Sequence, residues 1–177
     1  MDDRERLKFF EQTVLPHLDA AYNLARWLAG NDHDAQDVTQ EASLRAFRFF
    51  GSFRGENPRA WLLTIVRNTF YNWLKKNRPP EIAGKLDDEA LMVEDVSVNA
   101  EAVNLRVADA QTVQRAITEL PVEFREMIIL REMEGFSYKE IAELSDVPIG
   151  TVMSRLARAR KQLQKLLAGE FTSEEQK

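Results

Sequence analysis

Apolar residues return every three or four positions along most of the 177-residue chain, the period of amphipathic helices. The first patterned segment covers roughly Asp3–Leu15. Pro16 can open a second, with Leu18, Ala21, Tyr22, Ala25 and Leu28 on one face and Gly30 as its stop. A third follows Asp32 or Asp34 as N-cap and runs to about Phe50. The stretch GSFRGEN then breaks the pattern, and Asn57-Pro58 starts a fourth helix, with Asn as the cap and Pro at the first helical position. Periodicity resumes near Asp109. Leu120-Pro121 opens a helix through Met133 that Gly135 halts, and Ser137 with Glu140 forms a capping box for a short helix, Tyr138–Leu144. The turn SDVPIG leads into a long helix from about Thr151. The predicted fold class is all-α: an N-terminal helical bundle (1–78) and a C-terminal helix-turn-helix (109–170), two small helical domains joined by a flexible acidic linker (79–108). A disordered tail (171–177) is expected to follow.

Two of these helices have faces that suggest chemistry. On the fourth, Leu62, Leu63, Val66, Phe70, Trp73 and Leu74 fall within about 120° of one another at 100° per residue. Arg67, Asn68, Tyr71, Asn72, Lys75 and Arg78 fall on the other side. Cations suit phosphates, amides suit base edges and an aromatic suits an unstacked base. The same face also describes an ordinary amphipathic helix that is basic toward its C-terminus. On the long C-terminal helix, Val152, Leu156, Ala159, Leu163, Leu166 and Leu167 form one stripe. Thr151, Ser154, Arg158, Lys161 and Lys165 lie nearly opposite, with Arg155 and Arg160 on the flanks. A recognition helix needs such a division: one side holds it to its domain and the other enters the major groove.

Charge sharpens the picture. Residues 1–78 carry 12 basic and 10 acidic groups, residues 79–114 carry 2 and 8, and residues 115–177 carry 10 and 11. The net charge of −5 therefore hides two cationic stretches, Arg45–Arg78 and Thr151–Lys165, on an acidic chain. The linker is too acidic to bind DNA and too polar to form a core. At 5–6 Å per square-root residue its roughly 30 residues span about 30 Å. Eight of the 16 aromatics lie between Arg45 and Pro80, and most of them are expected in a core. Phe53, with Arg54 beside it in the GSFRGEN break, can either wall a pocket for an extruded base or anchor the loop. Zero Cys excludes disulfides and thiolate chemistry, and two His 16 residues apart, His17 and His33, exclude a His-rich metal site. No cofactor is expected. No apolar run approaches the roughly 20 residues that span a bilayer, and the N-terminus, MDDRERLKFF, does not read as a signal peptide, so no membrane insertion and a cytoplasmic location are expected.

Three strings in one order carry a resemblance. DAQDVTQEASLRAF, FRGENPRAWLLTIVRNTFYNWLKKNR and LPVEFREMIILREMEGFSYKEIAELSDVPIGTVMSRLARARKQL resemble extracytoplasmic-function (ECF) sigma factors of the sigma-70 family, over nearly the whole chain. The resemblance implies a non-enzymatic initiation factor that binds bacterial core RNA polymerase, at the β′ clamp helices and the β flap, and confers promoter specificity. It implies polymerase contacts at Asp37, Gln40, Glu41, Leu44, Arg45 and Arg48. It implies contacts to the −10 element at Phe53, Arg54, Arg67, Asn68, Tyr71, Asn72, Lys75 and Arg78. For the −35 element it implies contacts at Ser137, Thr151, Ser154, Arg155, Arg158, Arg160, Lys161 and Lys165, with Arg155 and Arg158 the candidates for base edges and Arg160, Lys161 and Lys165 for phosphates. An anti-sigma factor is the expected regulatory partner. The family usually has Asp where Asn72 stands. A ligand-sensing helix-turn-helix repressor, dimeric on a palindrome, is the competing reading. An enzyme is disfavoured because no nucleophile–base pair or metal spacing is present.

Overall fold

The computed structural model describes residues 2–77 and 110–174, in two groups of helices. The acidic linker, Arg78 and the last three residues lie outside the described residues. Among those described there is no strand, as the sequence predicts.

The N-terminal group comprises α1 (Asp3–Val14), α2 (Leu18–Ala29), α3 (Asp32–Phe49) and α4 (Pro58–Asn77), with a 3-10 turn at Leu15–His17 between the first two. Pro16 therefore sits inside that turn, which Leu15 begins, and α2 starts at Leu18. Gly30 ends α2 at φ 83°, a conformation that costs glycine nothing, and its N–H donates to the Arg26 carbonyl at 3.0 Å. That reversal leaves Asn31 extended, so the cap of α3 is Asn31 and not Asp32 or Asp34. Its Oδ1 accepts from the Asp34 N–H at 2.9 Å. Asp32, released from capping, accepts from the Tyr22 hydroxyl and pairs with Arg26, which ties α2 to α3 across the turn.

α2, α3 and α4 pack pairwise on one another. Ala35, Val38, Ala42 and Ala46 form the inner stripe of α3, and their small side chains allow close approach by Leu24 and Leu28 of α2 and Leu62, Leu63, Val66 and Phe70 of α4. Asn57 caps α4 as the sequence predicts, its Oδ1 accepting from the Ala60 N–H at 3.0 Å. One polar group is buried among them. Thr69 is 2% exposed, and its Oγ1 has no hydrogen-bond partner among the described residues. An unmade buried hydrogen bond costs about 1–3 kcal/mol. Thr69→Val, which keeps the branched shape, is therefore expected to stabilise the N-terminal group by about 1 kcal/mol. A lower midpoint in chemical denaturation would mean that the hydroxyl is satisfied.

The C-terminal group comprises α5 (Ala110–Glu119), α6 (Val122–Ile128), α7 (Tyr138–Ser145) and α8 (Ile149–Glu174). The continuous helix expected through Met133 is interrupted. α6 ends at Ile128, and Ile129–Met133 form a π-turn closed by the Glu134 N–H on the Ile129 carbonyl at 3.0 Å. Gly135 follows at φ 73°. The Ser137 capping box is present in both halves, with the Glu140 N–H donating to Ser137 Oγ at 3.1 Å and the Ser137 N–H donating to Glu140 Oε2 at 2.7 Å. After α7, Asp146 adopts φ 53° in the turn, and α8 starts two residues earlier than expected, with the Pro148 carbonyl accepting from Thr151. α8 also runs to Glu174, past the start of the expected disordered tail, and passes through Gly169 without a positive φ.

Candidate nucleic-acid and polymerase interfaces

Burial of Ala35, Val38, Ala42 and Ala46 decides which side of α3 faces outward. Asp37, Gln40, Glu41, Leu44 and Arg48 are exposed and Arg45 is half-buried, a stripe at helical spacing along one face. Glu41 pairs with Arg45 at 2.7 Å, and His33 Nε2 lies 3.7 Å from Asp37. The stripe is acidic at its start and apolar and basic toward its end. Leu44 is 57% exposed.

Phe47 and Phe49 are exposed, as is Phe9 on α1, and Arg6 secures the junction through hydrogen bonds to the Phe47 and Arg48 carbonyls. Of the eight aromatics in Arg45–Pro80, most of them expected in the core, only Phe50 and Phe70 are buried; Phe53, Trp61, Tyr71 and Trp73 are half-buried and Phe47 and Phe49 are exposed. An edge-on contact holds the Phe47 ring to Phe10.

Between α3 and α4 the chain makes a 3-10 turn, Phe50–Ser52, and then an open loop in which Gly55 takes φ 88°. Phe53 is half-buried. Its ring lies nearly parallel to Phe50, with centroids 5.9 Å apart, and 5.2 Å from Trp61. It thus anchors the loop and still shows part of a face, so both readings of this residue survive. Arg54 beside it is exposed.

On α4, Asn68, Asn72 and Lys75 are exposed and Arg67 and Tyr71 are half-buried. The Arg67 guanidinium sits 4.6 Å from the centre of the Tyr71 ring. One face of that ring is therefore already covered by a cation, and a base stacking there would meet a guanidinium plane. Trp73 and Leu74, on the apolar side of α4, are only half-buried. Arg78 lies outside the described residues.

On α8, Val152, Leu156, Ala159, Leu163 and Leu167 are buried, and Leu166 is half-buried. Lys161 and Lys165 are exposed, and Thr151, Ser154, Arg155 and Arg158 are half-buried on the outward side. Ser137 is exposed, but its oxygen already accepts the cap bond. Arg160 differs from the rest. Its Nη2 donates to Glu132 Oε1 at 2.8 Å. Partial burial pulls its pKa down, but hydrogen bonding to Glu132 and Tyr138 and the carboxylate charge of Glu132 outweigh that and raise it above its ordinary value.

Residues 13–79 match the family described as Sigma-70 region 2, and residues 110–163 match Sigma-70, region 4. The chain is 40% identical over 136 residues to the ECF RNA polymerase sigma-E factor of Escherichia coli K12, covering 72% of this chain and 71% of that protein. The chain belongs to the ECF sigma factors. It is also 35% identical over 171 residues to the ECF RNA polymerase sigma factor SigE of Mycolicibacterium smegmatis, covering 94% of this sigma factor but 64% of the relative. It thus spans slightly less than two thirds of that protein's length. Among solved structures it is similar to the sigma factor RpoE from Bartonella quintana, crystallised in complex with the anti-sigma factor NepR. The TM-score is 0.69 at 35% identity, over 91% of this chain and 98% of that one. As a member of this family the sigma factor serves promoter-specific transcription as an alternative initiation factor and is not an enzyme. Among the described residues no helix is long and apolar enough to cross a membrane.

Proposed function

We propose that this sigma factor binds core RNA polymerase through the outward stripe of α3, reads a −35 duplex with α8, and opens and holds the −10 element with the Gly51–Asn57 loop and α4. The observation that carries the reading is α8 itself. A capped short helix and a turn lead into a helix whose inner stripe is buried and whose outer side presents Thr151, Ser154, Arg155, Arg158, Lys161 and Lys165. Extruding a base costs a few kcal/mol. Stacking on Phe53 or Tyr71 returns about 1–3 kcal/mol, so the loop alone does not melt a promoter and polymerase must contribute. The β′ clamp helices are the partner of the α3 stripe, and the β flap engages the C-terminal group. The work takes place in the cytoplasm, where polymerase is, and an anti-sigma factor holds the protein inactive, as NepR binds RpoE in Bartonella quintana.

A division of labour on α8 tests this. A base-edge arginine supplies about 1–3 kcal/mol of discrimination, whereas a phosphate contact acts equally on all sequences. Arg158→Ala is expected to relax preference at one or two −35 positions by about 5- to 150-fold. Lys165→Ala is expected to weaken binding to all promoters and flatten its salt dependence. Holoenzyme affinities on a panel of −35 substitutions read both, and identical profiles for the two variants would refute the assignment.

A further inference from the structure

Arg160 reads in the sequence as one more phosphate cation, and the structure gives it another employment. We propose that Glu132 is a positioning residue for promoter recognition, which grips Arg160 to set the presentation of α8 and withdraws Arg160 from the phosphate contacts. The inference rests on the reading of α8 as the −35 helix.

Three elements meet at this point. Glu132 belongs to the π-turn after α6, Tyr138 is the first residue of α7, and Arg160 lies midway along α8. The Arg160 guanidinium donates to Glu132 at 2.8 Å across 28 residues of sequence, and Tyr138 lies close enough to raise its pKa. Arg131, the neighbour of Glu132, donates to the Phe136 carbonyl at 2.9 Å and lies over the Tyr138 ring, 4.9 Å from its centre. The π-turn and the start of α7 are thus held to each other by Arg131, and the π-turn is held to α8 by Arg160. The extra residue that a π-turn inserts changes the direction of the side chains that follow, and such turns recur at functional sites.

The buried stripe of α8 fixes its depth in the group. The Arg160–Glu132 ion pair adds a directional polar contact on one flank of α8 to the packing of its buried stripe. Arg155 and Arg158 stand on the same helix within five residues of Arg160, so the grip at Arg160 aims them. A guanidinium committed to a carboxylate also offers little net positive charge to a phosphate. Two consequences separate this role from a phosphate contact and from simple stabilisation.

The experiment measures holoenzyme binding to promoter duplexes as a function of salt, with a −35 mismatch panel at fixed salt. Each neutralised phosphate contributes about 0.9 to the slope of log affinity against log salt. Arg160→Met is expected to leave that slope unchanged. Glu132→Gln, a mild change at a side chain 53% exposed, is expected to free Arg160 and steepen the slope by about 0.9, while discrimination against −35 mismatches falls about fivefold, the low end for one lost base contact. Combining the two is expected to restore the original slope. The exchange Glu132→Arg with Arg160→Glu keeps the pair and the net charge, and is expected to keep both slope and discrimination. A slope flattened by Arg160→Met alone would make Arg160 a phosphate contact and overturn the inference. A Glu132→Gln variant that melts earlier but binds with unchanged slope and discrimination would also overturn it, leaving the pair purely structural. Arg158→Ala and Lys165→Ala are measured alongside. If neither affects −35 binding, the reading of α8 fails and this inference falls with it. If both act as expected and the Glu132 variants do not, only this inference fails.

Discussion

Asp37→Lys together with Glu41→Lys is expected to abolish association with core RNA polymerase and leave the helical fold intact. Both carboxylates are exposed on the outward stripe of α3, on the side away from Ala35, Val38, Ala42 and Ala46, so neither supports the core. Glu41 does hold Arg45 at 2.7 Å, but an exposed i,i+4 pair of this kind is worth only about 0.3–0.5 kcal/mol to stability. At a charged interface the loss is larger. Removing one partner of a buried, hydrogen-bonded charge pair costs about 2–5 kcal/mol, and reversal adds repulsion. Two such losses take a nanomolar complex, near −12.3 kcal/mol, to about micromolar or weaker. Co-purification with polymerase measures the loss, and circular dichroism checks the fold. Asp19→Lys, an exposed carboxylate on α2, is the matched control and is expected to bind normally. Unchanged co-purification of the double variant would remove α3 as the docking element.

The second large effect lies in the loop before α4. Phe50 is 5% exposed and is the hub of an aromatic cluster, with centroid distances of 5.3 Å to Phe9, 5.2 Å to Phe10, 5.9 Å to Phe53 and 6.2 Å to Trp61. Phe50→Ala is expected to cost about 3–5 kcal/mol, a large part of the 5–15 kcal/mol that holds an ordinary domain together. It should detach α1 and the loop at once, because both lean on this ring. Phe53→Ala is expected to behave differently. Its ring is half-buried at the edge of the cluster, so its removal costs stability less. If the exposed part of that ring stacks an extruded base, the loss appears in promoter opening, at about 1–3 kcal/mol. Thermal unfolding of the free protein and open-complex formation by the holoenzyme separate the two. Equal stability losses for both variants, with no separate defect in opening for Phe53→Ala, would leave Phe53 as a loop anchor only.

The parts of this architecture that were legible in the sequence are those set by local chemistry. Asn57-Pro58, the Ser137–Glu140 box and the stops at Gly30 and Gly135 each answer a need of a few adjacent backbone groups, and each is where the sequence places it. The inner stripe of α8 followed from periodicity alone. The differences arise where several local solutions compete or where the partner is distant. Asn31, Asp32 and Asp34 can all cap a helix, and the left-handed turn at Gly30 selects Asn31. The apolar run Met127–Leu130 is buried throughout, so its pattern carries no sign that the turn widens at Ile129. Arg160 lies among the other cations of α8 in the sequence, and only the fold brings Glu132 to it. The outward aromatics Phe47 and Phe49 have the same composition signal as the buried Phe50 beside them.

Promoter selection by the reconstituted holoenzyme is the most direct test of the assignment. Core RNA polymerase is supplied with a pool of randomised DNA, with and without this sigma factor, and the transcript starts are sequenced. Starts that appear only with the sigma factor and share two upstream elements, at the −35 and −10 positions, are the expected result, with no sequence-specific duplex binding by the protein alone. Sequence-specific binding of the free protein to a palindrome, with no new starts from polymerase, would contradict it and identify a helix-turn-helix repressor instead.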